Sequence, residues 1–131
     1  MIVADASVVA NMLVGHGDLG RRARAALRAE PEWAVPHHWT VEVFSAIRRQ
    51  AGRGTISEAA AARAVRRLPE LAIDHVPSEA LLPRMWQLRA SFTAYDAAYV
   101  AIAEVRGLTL VTSDDPLARA ATRYCRVELV A

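Results

Sequence analysis

Lysine is absent from this chain: all 16 basic residues among its 131 are arginine. A P-loop relies on a lysine at the phosphates, and phosphoaspartate folds hold the phosphoryl group with one, so both classes lose their support. A dinucleotide site is not expected either. Cysteine is nearly missing. Cys125 stands alone, which excludes an internal disulfide framework and fits a reducing compartment. It has no histidine near it in sequence, so it makes a poor nucleophile. No apolar stretch reaches the length of a membrane span, and the N-terminus lacks the basic-then-apolar order of a leader. A cytoplasmic location and no membrane partner are the expectations. Histidine is sparse: His37 and His38 face different ways on a helix, and His16 and His75 are isolated, a weak basis for zinc.

What remains is globular in character, with 53% hydrophobic and 23% charged residues and a formal charge of +2. One domain over residues 1–131 is expected, with no linker, repeat or low-complexity segment to divide it. Arginine forks bind phosphate bidentately, but a coding bias accounts for an all-arginine complement more simply. Short apolar runs alternate with helical patterns. Strands are expected over 1–4, 33–35, 71–76, 108–111 and 126–130. Helices are expected from Ser7 to near Gly15, and over 18–30, 37–51, 57–68 and 78–91, with Pro83 at the last one's first turn or a kink. In the second helix Leu19, Ala23, Ala26 and Leu27 are expected to face inward. This alternation argues an α/β fold with a mostly parallel central sheet. Trp33, Trp39 and Trp86 are read as core or interface rather than stacking platforms.

The stretch from Thr93 to Ala121 organises the rest. Thr93 caps a helix in which Asp96 falls at capping-box spacing. Ala97, Ala98, Val100, Ala101, Ile102, Ala103 and Val105 then make a face suited to deep burial, and Gly107 stops it. A buried strand follows, and Asp115 is expected to cap the next helix ahead of Pro116. That leaves Asp114 without a structural task.

Asp5, Glu42, Asp96 and Asp114 are the acids that point to chemistry. Asp5 and Asp114 sit just past the C-terminal ends of predicted strands, the edge where open parallel sheets bind ligands. Gathered there, such acids make a hard oxygen site suited to magnesium or manganese. Asp5 and Asp96 taken singly serve equally as helix caps. Glu42 resists that explanation. It lies mid-helix beside an apolar stripe, and Trp39, His38, Ser45 and Ala46 at helical spacing offer it no cation. Ser7 and Thr112, each two residues from an acid, are candidate hydrogen-bond partners for metal ligands; a helix cap and a strand-end hydroxyl are the alternatives.

Four segments carry a family resemblance: Ile2-Val3-Ala4-Asp5-Ala6-Ser7, Glu42 in its apolar helix, Tyr95-Asp96-Ala97-Ala98-Tyr99-Val100-Ala101-Ile102-Ala103, and Leu110-Val111-Thr112-Ser113-Asp114 followed by Leu117. In these the chain resembles the PIN-domain ribonucleases, in particular the VapC toxins of bacterial toxin–antitoxin pairs. The resemblance spans nearly the whole chain. It implies a PIN-like α/β/α sandwich with a central, mostly parallel sheet. It also implies a magnesium- or manganese-dependent endoribonuclease in which Asp5, Glu42, Asp96 and Asp114 hold the metal. A homodimer and a cognate VapB-type antitoxin that blocks the site are further implications. RNA hydrolysis would leave a 5′ phosphate and a 3′ hydroxyl. The Thr-x-Asp spacing selects Asp114, with Asp115 beside it as the alternative or as a supporting acid. Two other classes stay open: a lapsed PIN-like protein that only binds RNA or an antitoxin, and a metal-dependent DNA nuclease.

Overall fold

The computed structural model describes residues 1–131. In chain order the elements are β1 (Ile2–Ala4), α1 (Ala6–Val14), α2 (Gly17–Arg28), β2 (Trp33–Pro36), α3 (Trp39–Gly52), α4 (Glu58–Arg67), β3 (Ile73–Val76), α5 (Ser78–Leu88), α6 (Ala94–Arg106), β4 (Leu110–Thr112), α7 (Asp115–Ala121) and β5 (Val127–Leu129). The five strands form one sheet in the order β3-β2-β1-β4-β5, and every pairing is parallel. The three central strands are buried along their whole length, as strands covered on both faces must be. The edge strands β3 and β5 are largely open to solvent.

Parallel neighbours need crossover connections, and these are right-handed. The chain steps from β1 to β2 to β3 in one direction, which puts α1 to α4 on one face. It then returns past β1 to β4 and β5, which puts α5 to α7 on the other. The result is the three-layer α/β/α sandwich. β1 lies between the outgoing and the returning halves, so the C-terminal ends of β1 and β4 border the crevice where strand order reverses,. Helix α6 fixes that crevice. Its residues Ala97, Ala98, Tyr99, Val100, Ala101, Ile102 and Ala103 are all buried, and it packs on β1, β2 and β4. Four alanines in that run let the helix lie close to the sheet.

Several details depart from the sequence expectations. Val105 is 73% exposed, because it lies beyond the turn of α6 that touches the sheet. Trp33 and Trp39 are core residues, whereas Trp86 is 67% exposed. Pro83 sits inside α5, which begins at Ser78. Leu19 faces solvent, and Gly20 takes the inward place in α2 instead. The cause is a close approach: a Cβ on Gly20 would lie 2.5 Å from the backbone carbon of Gly15, itself at φ 66°. Gly15, Gly17 and Gly20 have the Gly-x-Gly-x-x-Gly spacing, so a dinucleotide site cannot be set aside for want of the pattern. It is set aside by topology. That fingerprint opens a strand-to-helix turn, and these glycines join α1 to α2,. No helix is long and apolar enough to cross a membrane.

Gly20→Ala is expected to destabilise the fold by about 1–3 kcal/mol, the usual cost of forcing atoms into a packed contact. Leu19→Ser should stay within about 0.5 kcal/mol of the parent. Chemical unfolding of the two variants checks this; an unchanged Gly20→Ala protein would show that the α1–α2 contact is loose.

Candidate active site

Sheet register places the first acid. Ala4 pairs with Val111, and the Asp5 amide donates to the Val111 carbonyl (2.9 Å), so Asp5 comes level with the end of β4. Its carboxylate is 6% exposed and accepts two hydroxyl protons on the same oxygen, Oδ2: from Ser7 at 2.5 Å and from Thr112 at 2.7 Å. Those hydroxyls are themselves fixed. Ser7 Oγ accepts from the Ser113 amide and Thr112 Oγ1 from the Asp114 amide, each at 3.0 Å. Burial pushes the Asp5 carboxyl above its ordinary value, the two hydroxyls pull it back, and the charge of Glu42 pushes it up again. The structure therefore ties both sequence-proposed hydroxyls to this acid.

Asp96 enters from α6. The Thr93 hydroxyl accepts from the Asp96 amide (3.2 Å), capping the helix as expected. The Asp96 carboxyl is pushed up to about 6, first by burial and then by the charges of Asp5, Asp114 and Glu42. Glu42, half-buried in the first turn of α3, does have neighbours at bonding distance. The Tyr99 hydroxyl donates to Glu42 Oε1 (2.7 Å), and His38 Nε2 lies 3.3 Å from the same oxygen. The expectation that helical spacing offers Glu42 no cation is thus corrected: His38, four residues earlier, can pair with it when protonated. Burial raises the Tyr99 phenol far above its ordinary value, reinforced by the charges of Asp5 and Glu42, so it stays a donor.

The cap of α7 falls on Asp114 rather than on Asp115 as expected, and Asp114 lines the acid cleft as well. Asp114 caps α7, with Oδ1 accepting from the Leu117 amide (3.0 Å). Asp115 is the first helical residue and pairs with Arg119 at 2.9 Å on the surface. The Thr112 hydroxyl decides this, because its bond to the Asp114 amide orients the residue ahead of the helix. Asp115 faces away from the other acids.

Asp5, Glu42, Asp96 and Asp114 meet in one cleft of about 200 Å³, with Ser7, Ser45 and Arg49 on its wall. Their oxygens are the donor set that a hard divalent cation takes. They face the space without closing on it: no three His, Cys, Asp or Glu side chains form a ready-made cage for a metal ion.

A family description fits this geometry: the PIN domain matches residues 2–123, a span that holds all four acids. Ribonuclease VapC9 of Mycobacterium tuberculosis is 37% identical over 130 residues, covering 99% of this chain and 98% of its own. The chain belongs to the PIN-domain VapC family. Ribonuclease VapC1 of the same organism is 38% identical over 129 residues, covering 98% of this chain and 96% of its own. Among solved structures, PAE2754 from Pyrobaculum aerophilum superposes with a TM-score of 0.67 at 24% identity, over 96% of this chain and 82% of that one. VapC20 of M. tuberculosis, a toxin that cleaves the sarcin–ricin loop, gives 0.66 at 20% identity, over 92% and 95%. Both share the sandwich described above.

Three neighbours of the acids in this VapC-family protein escaped sequence reasoning: Arg49 on the cleft wall, and His38 and Tyr99 against Glu42. Each lies at helical spacing from an acid, Tyr99 three residues after Asp96, His38 four before Glu42 and Arg49 seven after it. That spacing was the available signal.

Asp96 generates a pH prediction. The folded protein keeps its proton up to about pH 6, while the unfolded chain releases it near the ordinary 3.8. Between those values the folded state binds more protons, so stability falls as pH rises and is lowest above the folded value. In the presence of chelator, Asp96→Asn should melt above the parent at neutral pH. The difference should vanish well below the ordinary carboxylate value. Melting curves across that range check it; a variant less stable at neutral pH would mean that Asp96 is stabilising when charged.

Proposed function

We propose that this chain works as one nuclease domain, a toxin endoribonuclease that hydrolyses RNA phosphodiester bonds with the aid of magnesium or manganese. The carrying observation is that four acids far apart in sequence line one cleft at the switch point of the sheet. The names of its VapC relatives, which call them ribonucleases, support the choice of substrate.

Asp5, Asp96, Asp114 and Glu42 are the residues that would hold the metal. When bound, a divalent ion neutralises the scissile phosphate and lowers the pKa of a water. Ser7 and Thr112 fix the Asp5 carboxylate by occupying Oδ2, and Tyr99 fixes Glu42 through Oε1. Such hydrogen bonds orient ligands. In-line attack of that water on phosphorus would break the bond to the 3′ oxygen, and with the water's proton delivered to the departing oxygen the products would be a 5′ phosphate and a 3′ hydroxyl. An acidic cleft repels RNA, and Arg49 is the cation placed to offset this. It lines the cleft and donates to Ser45 Oγ (3.2 Å). Four other arginines, Arg21, Arg84, Arg106 and Arg119, are committed to carboxylates. We assign Arg49 to an RNA phosphate.

The same reading includes a cytoplasmic homodimer and a VapB-type antitoxin that plugs the cleft with a cationic group. The full set of acids in the cleft favours an active nuclease over a lapsed binding protein.

Incubation of the purified protein with total RNA, with and without magnesium, tests the proposal. Asp5→Asn, Glu42→Gln, Asp96→Asn and Asp114→Asn should each lose more than about a hundredfold of cleavage while remaining folded. Asp115→Asn should be close to the parent, since its ion pair is exposed. Full activity of Asp96→Asn, or cleavage indifferent to chelator, would overturn the metal assignment.

Arg49→Ala should weaken RNA binding at every sequence and reduce the slope of log affinity against log salt by about one. An unchanged slope would remove Arg49 from the phosphate contact.

A further inference from the structure

Asp96 and Asp114 line two adjoining cavities. One is the acid cleft with Arg49 on its wall. The other, of about 330 Å³, continues on the opposite side of these two aspartates towards α7 and is walled by Phe92, Pro116, Leu117 and Ala120. The two spaces differ in chemistry. No arginine or histidine lines the second, so it offers an anion no cationic partner. Its apolar wall of Phe92, Leu117 and Ala120, beside the hydroxyls of Ser91 and Thr93, suits a neutral, flat group. The Phe92 ring is held in place by a T-shaped contact with Tyr124, centroids 5.6 Å apart, which keeps it from turning freely into the space.

A nucleic-acid strand alternates charged phosphates with neutral planar bases, and this pair of cavities alternates in the same way. We propose that the second compartment takes the nucleobase next to the scissile phosphate, so that the enzyme reads one unstacked base. This inference rests on the ribonuclease reading above. With the reacting phosphate at the metal that Asp96 and Asp114 would hold and a further phosphate at Arg49, the strand crosses the cleft from α3 towards α7, and the base on the α7 side drops between Phe92 and Ala120. The volume lies at the low end of the roughly 300–1,000 Å³ of small-ligand sites, enough for one base. A base reaches a side compartment of this kind only when splayed out of a stack, as in a loop or single strand.

The test begins by mapping the bond that the protein cuts in RNA. Short RNAs carrying this site are then made with an abasic residue at one or the other position flanking the bond, and kcat/KM is measured for each. One abasic position should lower kcat/KM about tenfold, as expected for a lost base contact, and the other should matter little. Ala120→Phe fills the compartment from a half-exposed helix position. This variant should cut the intact RNA poorly, yet show no further loss on the sensitive abasic RNA; Ala120→Ser should behave as the parent. Parent protein that cuts both abasic RNAs as well as the intact one overturns the base compartment, and so does a folded Ala120→Phe protein with unchanged kcat/KM. Those failures leave RNA cleavage itself in place. A parent protein that cuts no RNA at all overturns the ribonuclease reading and this inference with it.

Discussion

The buried carboxylate of Asp5, satisfied by the hydroxyls of Ser7 and Thr112, is the contact on which the site is built. A charge taken out of water is costly unless hydrogen bonds replace its hydration. Here the replacement comes from two elements that only the sheet brings together. Ser7 belongs to α1 and Thr112 to β4, and the amides of Ser113 and Asp114 hold both hydroxyls in turn. The network therefore laces the end of β1 to the β4–α7 turn. A slip of the β1–β4 pairing by one residue would turn Thr112 to the opposite face and leave the buried Asp5 with Ser7 as its one hydroxyl partner. The same network sets the start of α7, because the Asp114 amide held by Thr112 belongs to the residue that caps the helix.

Around this fixed acid the other three are held in mutual opposition. Burial and the neighbouring charges lift Asp96 to about 6, which means that the folded protein is strained by its own cleft near neutral pH. Glu42 is steadied by the Tyr99 phenol, kept protonated by its buried position between acids. Such concentration of like charge is a common cost of functional sites.

The cleft is also uneven from side to side. Arg49 marks one wall, and a compartment without a basic side chain adjoins the far side of Asp96 and Asp114. A cation on one flank and a largely apolar wall on the other make the two sides of the cleft chemically unlike. The asymmetry arises from the layers of the sandwich: Arg49 comes from α3 on one face of the sheet, and the compartment from the α5–α6 corner and α7 on the other.

The sequence by itself determined the class of fold and the acids worth watching. Strand runs such as Ile2-Val3-Ala4 and Leu110-Val111 and the caps at Thr93 and Gly107 are local signals, carried by residues that meet within a turn or two, so they survive without tertiary information. The acids of the PIN motifs were legible for the same reason, each standing at a strand end or on a helix face. What only the tertiary structure decided is everything that depends on contact across the chain. Asp114 and Asp115 are neighbours with equal capping chemistry, and the choice between them was made by Thr112 through its bond to the Asp114 amide. Leu19 and Gly20 compete for one inward position, and the approach of Gly15 settled it in favour of the residue without a side chain. Tyr99 stood in the α6 motif with no role of its own and became the partner of Glu42, 57 residues away in sequence. Arg49 was one arginine of sixteen until α3 brought it to the cleft. Spacing along a helix or strand is written in the sequence, but which faces meet is fixed by sheet order and crossover hand.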